Sequence, residues 1–253
     1  SNEVQTYYLR SEGIIDPSCL LVPTALAQSL SNVGSIRECL FKVWPMRQYT
    51  AQANLLENLR RDPDDVSGGR GALLEELRME RKRNLQETRR SLGENVRYGD
   101  IIQLLHVSSG KFVTLQPSRI SERESSCLRV TLASAGSAQS WLYVMPRFKV
   151  HAVGEMVEHS EQVLMSFRGE GGTTATTKLL HGGKSLEVSC SNDPTSWRMA
   201  SFDSWNVGRK ASIPGVGRAT ALRESMPCVK ACTPFAIRHL QTGNFLSVVF
   251  DLN

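Results

Sequence analysis

Few residues in this 253-residue chain stand at spacings that support chemistry, and each such set lacks something its chemistry requires. Gly183-Lys184-Ser185 has the ending of a phosphate-binding loop, in which backbone amides cradle a phosphate and the lysine reaches it. That loop needs a glycine five positions before Gly183; the residue there is Lys178, and no helical pattern follows. Gly215-Val216-Gly217 begins like a dinucleotide fingerprint, but position 220 is Thr and no buried strand precedes it, so a linker turn is the reading. His106 and His239 stand next to a Ser or Thr and a Gly, without an Asp, Glu or Cys at dyad or ligand spacing. They read as structural histidines that hydrogen-bond a turn. The six cysteines (Cys19, Cys39, Cys127, Cys190, Cys228, Cys232) form no CxxC pair, and no His completes a zinc-finger spacing. They read as reduced core residues, which fits a cytosolic setting. With no nucleophile, dyad or metal set, the expectation is a protein that is not an enzyme and needs no cofactor or metal.

The elements that would position these residues are legible as repeats. Cys39 to Pro45, Ser140 to Pro146 and Ser196 to Ala200 each place a large apolar residue, Leu40, Trp141 or Trp197, at the head of a strand-like run. A second echo pairs Leu104–Thr114 with Ile237–Ser247, where His, Gly and Phe recur at a constant offset of 133 residues. The strand heads are 101 and 56 residues apart, and the first interval contains a helix-like stretch at 50–95 without counterpart in the second. Removing those 46 positions leaves 55, so the intervals agree. A period of that size suits a unit of several short strands. Three such units make a mainly β protein, a β-trefoil with an inserted helix-turn-helix arm. Trp141 and Trp197 are expected in its core layers.

In the insertion, Thr50 is expected to cap a first helix through Leu55, Leu56 and Leu59, which Asp62-Pro63-Asp64 and Gly68-Gly69 break. A second helix runs from Ala72 to Leu92, with a thin apolar stripe of Leu73, Leu77, Leu85 and Leu92. Arg78, Arg81, Lys82, Arg83, Arg89 and Arg90 crowd its other faces, interleaved with Glu75, Glu76, Glu80 and Glu87. Three readings stay open for this basic arm: a solvated arm, a phosphate or nucleic-acid contact, and a target for a calmodulin-like partner. Interleaved acids and the lack of stacking aromatics count against nucleic acid. A net charge of +5 permits acidic partners without selecting one. No run of apolar residues is long enough to cross a bilayer, and no signal-peptide pattern opens the sequence. A hairpin is expected at 6–23, a Gly/Thr-rich turn at 169–177 and a linker at 206–227. These divide the chain into a trefoil over 1–205, the linker, and the opening strands of a second trefoil over 228–253.

Phe41–Gln52, Val96–His106, Leu128–Leu132 and Thr195–Trp197 together resemble the N-terminal suppressor region of inositol 1,4,5-trisphosphate receptors; ryanodine receptors, the sister family, match less well at these runs. The similarity spans most of residues 6–205. It implies a regulatory module at the cytosolic apex of a tetrameric, ligand-gated calcium-release channel of the endoplasmic reticulum or a related store. Such a module modulates ligand affinity and relays occupancy to the gate. Its partners would be the downstream inositol trisphosphate-binding domains of the same chain and neighbouring subunits, with no nucleic acid and no membrane contact by this segment. The inter-subunit contact loop of the family falls on Arg147, Phe148 and Lys149, where the family's aromatic is commonly Tyr. The ligand-binding Thr-Thr-Gly-Arg run of the family's second trefoil is absent. The family also places one more strand before the first hairpin, leaving an exposed edge, and the segment Phe235–Phe250 is expected either to cover that edge or to dock onto another molecule. The competing class is a trefoil that binds a carbohydrate or phospholipid headgroup, for which only residues 169–184 offer a polar loop face.

Overall fold

The computed structural model describes residues 18–22, 38–62, 69–168, 178–183, 185–201 and 228–249. The turn expected at 6–17, the helix breaker at 63–68, the Gly/Thr-rich turn at 169–177, Lys184 and the linker at 206–227, including Gly215-Val216-Gly217, lie outside them. Among the described residues twelve strands run in chain order: β1 Ser18–Val22, β2 Leu40–Pro45, β3 Ile101–His106, β4 Phe112–Ile120, β5 Leu128–Ala133, β6 Leu142–Pro146, β7 Val163–Phe167, β8 Lys178–Gly182, β9 Val188–Ser191, β10 Trp197–Ser201, β11 Pro234–His239 and β12 Phe245–Val249. Two helices, α1 Thr50–Arg61 and α2 Gly69–Arg90, are inserted between β2 and β3.

Six strands close on one another through antiparallel pairs. β2 pairs β3, β3 pairs β6, β6 pairs β7, β7 pairs β10, β10 pairs β11, and β11 returns to β2. Three hairpin-like pairs, β4–β5, β8–β9 and β12–β1, cap one end and touch each other through β1–β5, β5–β9 and the Leu20↔Glu187 bridge. A closed ring has no free strand edge, and its inward and outward positions alternate, as the buried and half-buried residues along β2 and β6 show. The result is a mainly β, trefoil-like fold carrying two helices.

The three units are β3–β6, β7–β10, and a third assembled from both chain ends, β11–β12 followed in space by β1–β2. Residues 234–249 therefore complete the one barrel, with Phe235↔Phe41 on β2 and Leu246↔Leu21 on β1. No separate second sheet forms there among the described residues, contrary to the expected start of a second trefoil. The pairing is the reason: β11 lies between β10 and β2, and β12 pairs β1, so both strands hold places in the one barrel. A trefoil confined to 1–205 would lack two of its strands.

The 133-residue echo is structural. His106 Nδ1 meets Ser109 Oγ at 2.9 Å, and Gly110 N and Lys111 O bond its own backbone; His239 Nδ1 meets Thr242 Oγ1 at 2.9 Å, with Gly243 N and Asn244 O in the same places. Gly110 and Gly243 sit at φ 65° and 74°, the left-handed region where glycine is favoured. Both rings are buried, His106 against Phe41 at 5.2 Å and His239 against Trp197 at 4.9 Å. Both histidines thus hold turns, as the sequence indicated.

The strand-head alignment shifts by one residue. Leu40 O, Trp141 O and Ser196 O accept equivalent bonds from Val107 N, Arg168 N and Leu240 N. The core positions are therefore the next residues, Phe41, Leu142 and Trp197, each fully buried. Trp141 corrects the expectation: it is half-buried beside the arm, its Nε1 donating to Arg47 O at 2.9 Å. Trp197 does occupy the core, with its Nε1 donating to Leu180 O at 2.9 Å. Cys19, Cys39, Cys127 and Cys190 are buried and all six thiols are free. Burial raises the Cys19 thiol to about 12, assisted by nearby Glu187, and the Cys39 thiol to about 11.

Candidate functional site

The 147–162 connection between β6 and β7 is the contact loop of the sequence reading, and its base is pinned on every side. At the strand ends Pro146 faces Val163, and Arg147 N donates to Gln162 O at 3.1 Å. Further along, Gly154 N donates to Tyr98 O at 2.7 Å, Tyr98 N to Glu155 O at 2.9 Å and Val157 N to Val96 O at 2.8 Å. From the other flank Val229 N donates to Val157 O at 2.8 Å. His151 stacks on Tyr98 with centroids 5.4 Å apart and lies 2.8 Å from Glu161 Oε1 and 3.2 Å from Glu155 Oε2. The Tyr98 hydroxyl donates to Glu161 at 2.8 Å; burial, then the Glu161 carboxylate, pushes its pKa above the ordinary tyrosine value. A Cβ on Gly99 would stand 2.5 Å from Val153 Cγ1, and its φ of 97° also requires glycine, so the loop seats directly on that turn.

On this base the tip is apolar and open. Phe148 is 54% exposed, Val150 78% and Val153 71%, with Arg147 half-buried and Lys149 exposed beside them. One aromatic and two valines thus stand in water on a pinned base, with a cation on either side of Phe148.

The arm is anchored differently. Ala51, Leu55 and Leu77 form its small apolar cluster, with Leu73 packed against it. Thr50 does not cap α1: the cap position is Tyr49, which makes no side-chain cap bond. The free amides at that end are instead taken by a carboxylate from the other helix, Glu80, which accepts from Ala51 N at 2.7 Å and Gln52 N at 3.2 Å. Asn84 bonds both N and O of Gln48 at 2.9 Å. The packed face of α2 therefore runs Leu73, Leu77, Glu80, Asn84 and Thr88, with buried Ser91 just past its end, apolar at one end and polar at the other. Leu85 and Leu92, expected on the stripe, are exposed at 49% and 68%. The stripe continues in polar residues because there α2 meets the backbone groups of Gln48, Ala51 and Gln52, which only polar groups satisfy.

Arg78, Arg81, Lys82, Arg83, Arg89 and Arg90 all lie exposed on α2. Loop and arm are on different elements, and no described hydrogen bond or ion pair joins the two sets. Between the arm and the barrel opens a groove of 870 Å³ lined by Met46, Gln48, Met79, Glu76 and Trp141. Neither that groove nor the apolar tip residues Val150 and Val153 could be read from sequence, because isolated valines and methionines carry no periodic signal.

A pinned loop with an apolar tip and a cationic arm are both borne by one trefoil-like barrel. The chain belongs to the inositol 1,4,5-trisphosphate/ryanodine receptor family, which it matches over residues 1–208. It is 30% identical over 227 residues to the inositol 1,4,5-trisphosphate receptor itr-1 of Caenorhabditis elegans. That alignment covers 84% of this chain and 8% of the relative, so the chain spans a small part of that protein's length. Among the described residues no helix is long and apolar enough to cross a membrane.

Proposed function

We propose that this chain is the regulatory N-terminal domain of an inositol trisphosphate-gated calcium-release channel, facing the cytosol at the store membrane. It acts through contacts with the downstream ligand-binding domains and with neighbouring subunits of a homotetramer. The observation that carries the reading is the Phe148 tip: exposed apolar surface on a backbone fixed by Tyr98, His151 and Glu161. A rigid body with two contact surfaces passes occupancy of one site to another as a coupling free energy of about 1–3 kcal/mol, without chemistry of its own. The basic arm supplies a second surface, for an acidic or calmodulin-like partner. Phe148 in place of the family's usual Tyr keeps the apolar anchor and drops the hydroxyl.

Calorimetry with inositol 1,4,5-trisphosphate tests the reading. This chain by itself should bind none, and tight binding would sink the proposal. Joined to the family's downstream ligand-binding domains, deletion of the trefoil should raise their affinity by about fivefold or more. Phe148→Ala should reduce the coupling between ligand binding and channel opening while leaving the melting temperature of the isolated domain unchanged.

A further inference from the structure

Two residues of one turn and a third distant in sequence converge where the loop before β5 meets strand β8: Glu124, Cys127 and His181, whose ligand atoms all lie within 4.8 Å of one another. Glu124 Oε2 is 3.5 Å from Cys127 Sγ and 3.7 Å from His181 Nε2. Tetrahedral zinc with ordinary Zn–S, Zn–N and Zn–O bonds has ligand-to-ligand edges of about 3.4–3.6 Å. We infer that Glu124, Cys127 and His181 form a three-ligand binding site for a zinc-class divalent cation.

The surroundings favour ligation over a chance meeting of side chains. His181 Nδ1 lies 3.2 Å from Asp193 O, a carbonyl that accepts its proton, and Nε2 faces the site 3.7 Å from Glu124 Oε2, so the ring is oriented to present Nε2 to a cation. The second carboxylate oxygen of Glu124 accepts from Ser185 Oγ at 2.7 Å, which leaves Oε2 for the site. Gly183 has no room for a side chain, since its Cβ would overlap the Glu124 carboxylate. The loop carrying Glu124 and Cys127 is fixed by the buried Glu187 carboxylate, which accepts from Ser121 Oγ at 2.7 Å and Arg123 N at 2.8 Å. Cys127 N donates to Glu124 O at 2.9 Å, holding the two ligands in one turn.

One thiolate, one imidazole and one carboxylate are the borderline ligands that suit zinc better than calcium or magnesium, which prefer oxygen alone. A thiolate and a carboxylate also neutralise the 2+ charge. Three protein ligands leave a fourth position for water or a group from another molecule. On binding, the Cys127 S–H bond breaks, its proton passes to solvent, and the S–metal bond replaces it. The cation would join the β4–β5 loop of one repeat to β8 of the next. The spacing rules could not find this site, because fold topology, not a CxxC-type run, assembles it.

Cobalt(II) titrated into the full chain under reducing conditions reports the site directly. The expected result is one equivalent bound, with a thiolate-to-cobalt absorption band in the near ultraviolet and the strong visible bands of tetrahedral cobalt. Zinc should displace it and raise the melting temperature. Cys127→Ser should remove the thiolate band, and Glu124→Gln and His181→Gln should each weaken binding by about tenfold or more. A wild-type protein that gives no thiolate band overturns the inference, and so does a band that survives in Cys127→Ser. Glu124 lies on a partly exposed turn, so its variant keeps the test open if Cys127→Ser fails to fold.

Discussion

At the scale of single residues, the two tryptophans at repeat positions separate core from surface. Trp197 is fully buried, fills a barrel position equivalent to Phe41 and Leu142, and satisfies its N–H on Leu180 O. Trp197→Ala should cost about 3–5 kcal/mol in urea unfolding, the usual penalty for emptying such a site. Trp141→Ala, which removes a half-buried ring and one bond to Arg47 O, should cost about 1–2 kcal/mol. Equal losses in the two variants would place both rings in the core after all. The buried thiols make a pH prediction. An unfolded cysteine releases its proton near about pH 8.5, whereas folded Cys39 holds it to about 11 and Cys19 to about 12 because burial penalises the thiolate. The stabilising difference is fully present below the unfolded value. Above it the unfolded chain binds fewer protons, so stability falls by roughly 1.4 kcal/mol per pH unit for each such thiol until the folded group also ionises. Urea midpoints measured from pH 8 to 10.5 should decline, and Cys39→Ala should flatten the decline.

At the scale of elements, the arm shows what a sequence reveals and what it hides. Its two helices were legible because Leu55, Leu73 and Leu77 fall at helical spacing and because Asp62-Pro63 breaks the run. Its attachment was not. Glu80 looked like one of four acids offsetting surface charge, yet it is 3% exposed and bonds two amides of the other helix. No local pattern announces a cap that arrives from 28 or 29 residues away. Glu80→Ala strips both amides of their acceptor and should destabilise the arm by about 1–2 kcal/mol. Hydrogen exchange should show faster exchange at Ala51 and Gln52, with the barrel amides of β3 and β6 unaffected. Uniform acceleration across barrel and arm would mean that Glu80 supports the whole fold. The 147–162 loop was singled out only through family resemblance: Arg147, Phe148 and Lys149 have no periodicity, and the loop is seated by Tyr98 from elsewhere in the fold, against which His151 of the loop stacks. The Glu124, Cys127 and His181 cluster was hidden for the same reason.

At the scale of the molecule, the barrel is closed by its two ends. The 133-residue echo placed the repeat of β3–β4 at β11–β12, and the fold pairs that repeat with β1 and β2. What the sequence could not decide was whether the echo began a new domain, since a repeat carries the same pattern whether it pairs within one barrel or starts another. Pairing decides it: β11 lies between β10 and β2, and β12 covers β1. Removing residues 228–253 would take Phe235, Ile237, Leu246 and Val248, all at most 1% exposed, out of the core and open two barrel seams. Each such loss costs about 2–5 kcal/mol, and their sum reaches the whole stability of a typical domain, about 5–15 kcal/mol. A chain ending at residue 227 should therefore show no cooperative thermal transition and no near-ultraviolet dichroism. Adding a peptide of residues 228–253 should restore both, with a midpoint that rises with peptide concentration because the strand pair then binds as a separate ligand of the folded state. A truncated chain that melts cooperatively on its own would show that the trefoil is complete without its last two strands, and would return those strands to a second domain.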